Sequence, residues 1–221
     1  LKATARYYPV EVVAEACKLL KEYGIELGIQ LMIGLPEATI ESDYLTALRA
    51  VEMQPDVARI YPTLVIKNTK LEDMFLKGEY HALSIEEAVE RTRKIYTLLE
   101  LNGINVIRVG LQPSEDLRED GVVLGGPFHP AFRELVETEI YYNFLKKIAD
   151  KEKKLDIETA EVNISKIVGI KKANRLRLKE YFNIKIDNSL SKDIVVVNGK
   201  IYSRVEILRE ESNESNSNQY R

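Results

Sequence analysis

Apolar and polar positions in the first 150 residues alternate between two spacings. Val10, Val13, Ala14, Cys17 and Leu20 recur at the interval of one helix face, with Pro9 suited to a first helical turn and Gly24 to a stop. Residues 25–33 form an apolar run that predicts a strand, broken by Gly34-Leu35-Pro36. Thr39 is placed to cap a helix reaching about Met53, and Pro55-Asp56 marks a turn. A short strand over residues 57–61 ends at Pro62, and a short helix is expected near residues 71–76. Ser84-Ile85-Glu86-Glu87 has the capping-box pattern, which predicts a helix to Asn102 with Gly103 as its stop. Residues 104–109 give a third strand. A Gly/Pro-rich loop over 111–128 and a helix from about 130 to 149 follow.

Three strand–helix alternations with short connections are the pattern of parallel α/β units. Three units are too few to close a barrel, and a half barrel leaves an open apolar edge, which proteins avoid. Either more chain or a partner completes the sheet, or the units form a small open sandwich.

The pattern changes after residue 149. The charged run 150–154 begins a linker expected over 150–160. A small α+β domain is expected over 161–209: a strand near 161–164, an amphipathic helix near 166–181, and strands at 184–186, 194–197 and 200–202. Asn198-Gly199 is a strong two-residue hairpin turn. The polar tail 210–221 is expected to be disordered.

Charge sharpens this division. The 221 residues carry a net charge of −3, but residues 163–204 hold ten Lys/Arg against three acids, or +7, leaving −10 elsewhere. Such asymmetry points to anion binding by the rear part. The apolar fraction of 45% and charged fraction of 30% are those of a globular protein, with no apolar run long enough for a bilayer and no signal-peptide layout. A cytoplasmic protein without a membrane partner is expected. The single cysteine, Cys17, forbids an internal disulfide framework and a cysteine-based metal site, and reads as a buried small hydrophobe. With two histidines besides, no nucleophile–base constellation supports a hydrolase or a cluster-free transferase.

In α/β units, ligands bind at the C-terminal ends of the strands. Three segments fall there: residues 30–36 (QLMIGLP), 59–67 (RIYPTLVIK) and 108–113 (RVGLQP). On spacing alone they indicate a small-molecule site or ordinary strand-to-helix turn chemistry.

The stretch Ala58-Arg-Ile-Tyr-Pro-Thr-Leu-Val-Ile-Lys67, with Asn-Thr-Lys-Leu and Lys77-Gly-Glu-Tyr80 behind it, resembles the segment after a central barrel strand in the Elongator catalytic subunit family. These are radical S-adenosylmethionine (SAM) proteins acting on the wobble uridine of tRNA. Residues 6–13 resemble the family's Arg-Gly-His-Thr segment, residues 24–36 its strand and Gly-Leu-Pro turn, and residues 126–135 the closing segment of bacterial members. The resemblance covers roughly residues 1–140. It implies the C-terminal half of a radical SAM partial (β/α)6 barrel over 1–149, followed by the small basic domain.

The same resemblance implies site residues. Arg6 would stand where the family has an arginine able to fork onto the SAM carboxylate. Gln30 would meet the SAM ribose, since an amide both donates and accepts. Gly34 and Pro36 would let backbone approach the nucleoside, and Tyr61 and Thr63 would edge the same pocket. Arg108, Gln112 and His129 would face substrate. A surface role for Arg6, core packing for Tyr61 and a structural role for His129 are the competing readings.

Two departures matter. The family's Gly-His-Thr is Tyr7-Tyr8-Pro9 here, and the three-cysteine motif that holds a 4Fe–4S cluster is absent. The cluster ligands and the front half of the barrel are therefore expected elsewhere, and this chain alone is expected to be inactive. Residues 162–187 resemble an RNA-binding KH module, with lysine at the second glycine of its Gly-x-x-Gly loop (Gly169-Ile170-Lys171-Lys172). Independently of that likeness, Lys171, Lys172, Arg175, Arg177 and Lys179 are expected on one side of a helix as contacts for RNA, by implication tRNA. The expectation is the rear portion of a radical SAM, tRNA-modifying enzyme. The alternative is a non-catalytic protein derived from a half barrel that binds RNA or a partner.

Overall fold

A computed structural model of the chain describes residues 9–112, 121–178 and 182–217. Two compact units divide between Phe132 and Arg133, so the helix expected to close the front domain at 149 belongs to the rear unit.

In the front unit, α1 (Val10–Glu22), β1 (Gly28–Ile33), α2 (Ile40–Glu52), β2 (Val57–Pro62), α3 (Lys70–Leu76), α4 (Ile85–Leu101) and β4 (Asn105–Val109) follow the expected order. Both helix starts read from capping patterns carry reciprocal caps. Thr39 and Ser42 exchange side-chain and backbone hydrogen bonds at α2, and Ser84 and Glu87 do so at α4. The strands form a parallel sheet in the order β1-β2-β4. Parallel neighbours require crossovers, which the helices supply. One sheet face packs under α2 and α4: Leu31, Ile33, Ala58, Ile60, Val106 and Val109 are buried with Ala47, Ala88, Ile95 and Leu99. Each fully buried Ile or Leu contributes about 1.5–3 kcal/mol.

Two features of this unit depart from expectation. Inside the expected loop 111–128, β5 (Val123–Gly125) pairs antiparallel with β3 (Val65–Ile66). On α1 the apolar stripe does not pack inward: Cys17 is buried, its thiol 3.8 Å from Met53 Sδ, but Val10, Val13 and Leu20 are exposed.

The rear unit is built on α5 (Phe132–Glu152), which runs through the start of the expected linker, and β6 (Leu155–Thr159), which occupies most of the rest. The strand expected at 161–164 is instead a 3-10 turn (Glu161–Asn163) leading into α6 (Ile164–Val168). The single helix expected over 166–181 is two, α6 and α7 (Ala173–Leu178), separated at Gly169. Strands β7 (Phe182–Ile186), β8 (Ile194–Val197) and β9 (Lys200–Ser203) complete a mixed sheet in the order β7-β6-β8-β9. Asn198 (φ 52°) and Gly199 (φ 77°) make the hairpin turn between β8 and β9. The expected disordered tail begins within α8 (Arg204–Ser217). Among the described residues, no helix is long and apolar enough to cross a membrane.

Candidate functional site

With one face of the parallel sheet buried, period-2 alternation sends the intervening side chains to the opposite face. The register aligns Gln30 on β1 with Arg59 on β2, and Arg59 with Arg108 on β4. All three are exposed. Arg108 reaches this face because a bulge between Ala58 and Arg59 places Ile107 as an extra residue on β4, leaving Ile107 and Arg108 both exposed. One step toward the C-terminal strand ends, half-buried Met32 and Tyr61 lie side by side. An open cavity of about 360 Å³ is lined by Gln30, Arg59, Ile107 and the Gly28–Val57 pair.

The strand ends are built differently. Gly34 has φ +70°, and a Cβ there would lie 2.5 Å from Leu83 Cδ1, so its backbone conformation and its packing both demand glycine. Its N–H donates to Asp43 Oδ2 at 3.1 Å, and its carbonyl accepts from the Tyr80 hydroxyl at 2.7 Å. Asp43 also receives Arg91 Nη1 at 2.9 Å. Burial pushes the Asp43 carboxyl above its ordinary pKa, against the pull of Arg91 and of the Gly34 N–H. Burial likewise raises the Tyr80 phenol. Thr63 is only 3% exposed, and its hydroxyl donates to the Ile33 carbonyl at 2.7 Å, which ties β2 to β1.

The structure therefore brings Gln30, Tyr61 and Arg108 to one open face. Gly34 and Thr63 are committed to the fold beneath the strand ends, and Pro36 is half-buried in the turn after Gly34. Gln112 is exposed at the end of the described segment. His129 is half-buried, and its Nδ1 accepts the Ala131 N–H at 3.1 Å, just ahead of α5. Arg6 lies outside the described residues. Sequence reasoning missed Arg59 as a site residue, although period-2 alternation along β2 puts it on the same face as Tyr61.

The rear unit presents a second polar surface. Gly169 (φ +80°), Lys171 (φ 52°) and Lys172 (φ 64°) turn the chain sharply between α6 and α7. The turn is anchored from below: Asn174, fully buried, donates to the carbonyls of Thr138 (2.8 Å) and Ile167 (3.2 Å). Lys171, Lys172 and Arg175 are exposed. Arg177 is engaged: it forks onto Glu139 at 2.6 and 3.0 Å and lies 3.2 Å over the Tyr142 ring. The lysines thus project from a turn, not from one helix stripe shared with Arg177. Lys179 lies outside the described residues.

Residues 55–142 match the Radical_SAM C-terminal domain. A tRNA uridine(34) acetyltransferase of Methanocaldococcus infernus is 37% identical over 93 residues, 41% of this chain and 17% of the relative. Elongator complex protein 3 of Bos taurus is 28% identical over 167 residues, 74% of this chain and 28% of the relative. A solved structure of the archaeal Methanocaldococcus infernus Elp3, with residues 1–46 deleted, matches with a TM-score of 0.56 at 26% identity, covering 75% of this chain and 37% of that one. The chain is similar to the C-terminal part of Elongator-type radical SAM proteins. The chain spans between about a sixth and just over a third of the proteins it matches.

Radical SAM proteins as a class use SAM with a 4Fe–4S cluster held by cysteine thiolates. The residues present do not fit the cluster. The chain has one cysteine, it is buried, and among the described residues no group of three or more His, Cys, Asp or Glu converges. The open sheet face does fit a nucleoside, with an unpaired amide and a phenol ring in neighbouring rows.

Proposed function

We infer that the front unit is one wall of a radical SAM (β/α)6 barrel, with its open sheet face turned toward the barrel interior. The observation that carries this reading is the asymmetry of the sheet. One face is packed under helices, while the other presents Gln30, Arg59, Arg108, Met32 and Tyr61 with no covering element among the described residues. The outer edge of β1 and the exposed apolar stripe of α1 are where the remaining barrel strands and helices would add. SAM with its cluster supplies the radical that starts the chemistry, and the cluster's thiolates come from outside this chain. Gln30 would hold the ribose hydroxyls, and Tyr61 would lie against the adenine. Asp43 and Tyr80 fix the Gly34 turn beside them. Gly34 and Thr63 shape this wall from beneath and do not touch the cofactor.

The basic turn of the rear unit would hold RNA, by kinship tRNA, through phosphate contacts of Lys171, Lys172 and Arg175. The two-helix turn between β6 and β7 supports a KH-like reading, with Lys172 at the position of the second glycine. The relatives' names place a tRNA uridine as the target in those proteins. The same target is proposed here.

The test is 5′-deoxyadenosine formation after iron–sulfur reconstitution. The 221 residues alone should release none, and fusion behind a cysteine-bearing front half should restore release. Gln30→Ala and Tyr61→Ala in that fusion should weaken SAM binding by about tenfold, the worth of one good contact. SAM cleavage by the chain alone, or unchanged binding in both variants, would overturn the reading. Failure of the fusion to bind SAM, with tRNA binding retained, would favour the non-catalytic RNA-binding alternative.

A further inference from the structure

The geometry points to a phosphate-binding site on the open sheet face, formed by Arg59 and Arg108 with Gln30 beside them. Arg59 and Arg108 are register partners on adjacent parallel strands, which puts their backbones about 4.8 Å apart. Like charges in directly opposed positions of a sheet repel and destabilise it. Nothing on the sheet offsets them: β1, β2 and β4 contain no acidic residue. Among the described residues, neither guanidinium has a hydrogen bond or an ion pair. The bulge that swings Arg108 to this side makes the pairing an acquired feature of the strand, since regular alternation would put Ile107 opposite Arg59. The adjoining cavity, lined by Arg59 and Gln30, has room for a small anion.

The donor set selects the ligand. A carboxylate has two oxygens and one charge, and a single guanidinium fork satisfies it. Two forks with an amide beside them match the three free oxygens and two charges of a terminal phosphate. A backbone phosphodiester, with one charge and two free oxygens, is the poorer fit. The class is therefore a phosphate monoester or pyrophosphate, with Met32 and Tyr61 one row nearer the strand ends able to flank an attached base or chain. SAM carries no phosphate, so the two arginines serve a different chemistry from the ribose contact proposed for Gln30; the amide is common to both, and variants of the arginines test the phosphate site without removing the ribose contact.

Isothermal titration of the 221-residue chain at low salt tests this with four probes: pyrophosphate, AMP, adenosine, and an RNA oligonucleotide ending in a 5′-hydroxyl. Pyrophosphate and AMP should bind. Arg59→Gln and Arg108→Gln should each weaken them about tenfold or more, the worth of a charged hydrogen-bonded contact. Arg59→Lys, which keeps the charge and loses the fork, should fall between. Both positions are exposed, and circular dichroism checks that each variant folds. Lys171→Gln with Lys172→Gln should leave pyrophosphate binding intact while weakening the oligonucleotide. The site is overturned if pyrophosphate does not bind, if neither arginine variant changes its affinity, if adenosine binds as tightly as AMP, or if the arginine variants weaken the oligonucleotide as much as pyrophosphate.

Discussion

The Tyr80 hydroxyl donates a 2.7 Å hydrogen bond to the Gly34 carbonyl across 46 residues of sequence. Asp43 takes the N–H of the same glycine. Both backbone polar groups of one residue, on the two peptide units that flank its Cα, are thus held by buried side chains from different segments, and the turn that ends β1 is fixed on two sides. A turn held this way delivers Leu35 and Pro36 to one place, which a loop anchored only at its ends does not.

Tyr80→Phe isolates half of this clamp. The ring keeps its packing, but the buried Gly34 carbonyl loses its partner, a loss of about 1–2 kcal/mol. Urea unfolding should show a lower midpoint at unchanged slope. An unchanged midpoint would mean that the bond contributes nothing net.

Gly34→Ala faces two penalties, the left-handed backbone and the approach to Leu83. Left-handed geometry alone costs a non-glycine residue about 1–2 kcal/mol. Leu83 Cγ also lies 2.8 Å from the new methyl, so the side chain cannot clear it by swinging its tip. Truncating Leu83 to Ala removes the clash and leaves the backbone cost. The double variant should therefore be more stable than the sum of the single losses, and a double-mutant cycle measures the coupling. Additive losses would show that only the backbone matters.

Much of this architecture was legible in the chain. Caps at Thr39 and Ser84, stops at Gly24 and Gly103, and apolar runs for the three parallel strands are local signals, and the structure follows them. Three features were not local. The β3–β5 pairing joins segments more than fifty residues apart, and β5 is too short to show an alternation. The turn at Gly169 interrupts a helical pattern whose polar and apolar positions continue across it, so periodicity alone ran the two helices together. The roles of Gly34 and Thr63 turned on which side of the sheet was covered. The family resemblance implied cofactor contact for both, while Leu83 and the Ile33 carbonyl occupy the space and the hydroxyl. For the open face, strand alternation in the sequence is enough to group Arg59 with Tyr61, a signal left unused, but the bulge that adds Arg108 is visible only in the register.

Asp43 predicts a pH signature. Its carboxyl is raised by burial, so the folded protein holds that proton more tightly than the unfolded chain does. Ionised Asp43 therefore costs stability at neutral pH. The cost is relieved as pH falls through the folded pKa toward the unfolded value of about 3.9. Asp43→Asn removes this titration. The unfolding free energy of the native chain, measured relative to the Asn variant, should rise as pH is lowered from about 7 to about 4. A difference that falls over the same range would mean that the Arg91 and Gly34 contacts outweigh burial.

The rear turn separates folding from binding in a single pair of variants. Lys172 adopts φ 64° directly after Lys171 at φ 52°, and such a conformation costs a side-chain-bearing residue about 1–2 kcal/mol. Glycine removes that strain but adds about 0.5–1 kcal/mol of unfolded-state entropy, so Lys172→Gly should leave stability unchanged or up to about 1.5 kcal/mol higher. On the proposed RNA contact, it should nevertheless weaken tRNA binding and flatten its dependence on salt, because one phosphate contact would be lost. Arg177→Ala should behave in the opposite way. Its guanidinium is already committed to Glu139 and the Tyr142 ring, so stability should fall by about 1 kcal/mol, with tRNA affinity and salt slope kept. Thermal unfolding paired with filter binding across a salt series reads both quantities. If Arg177→Ala reduces the salt slope as much as Lys172→Gly does, the guanidinium leaves Glu139 to meet RNA, and the basic surface extends along α7 after all.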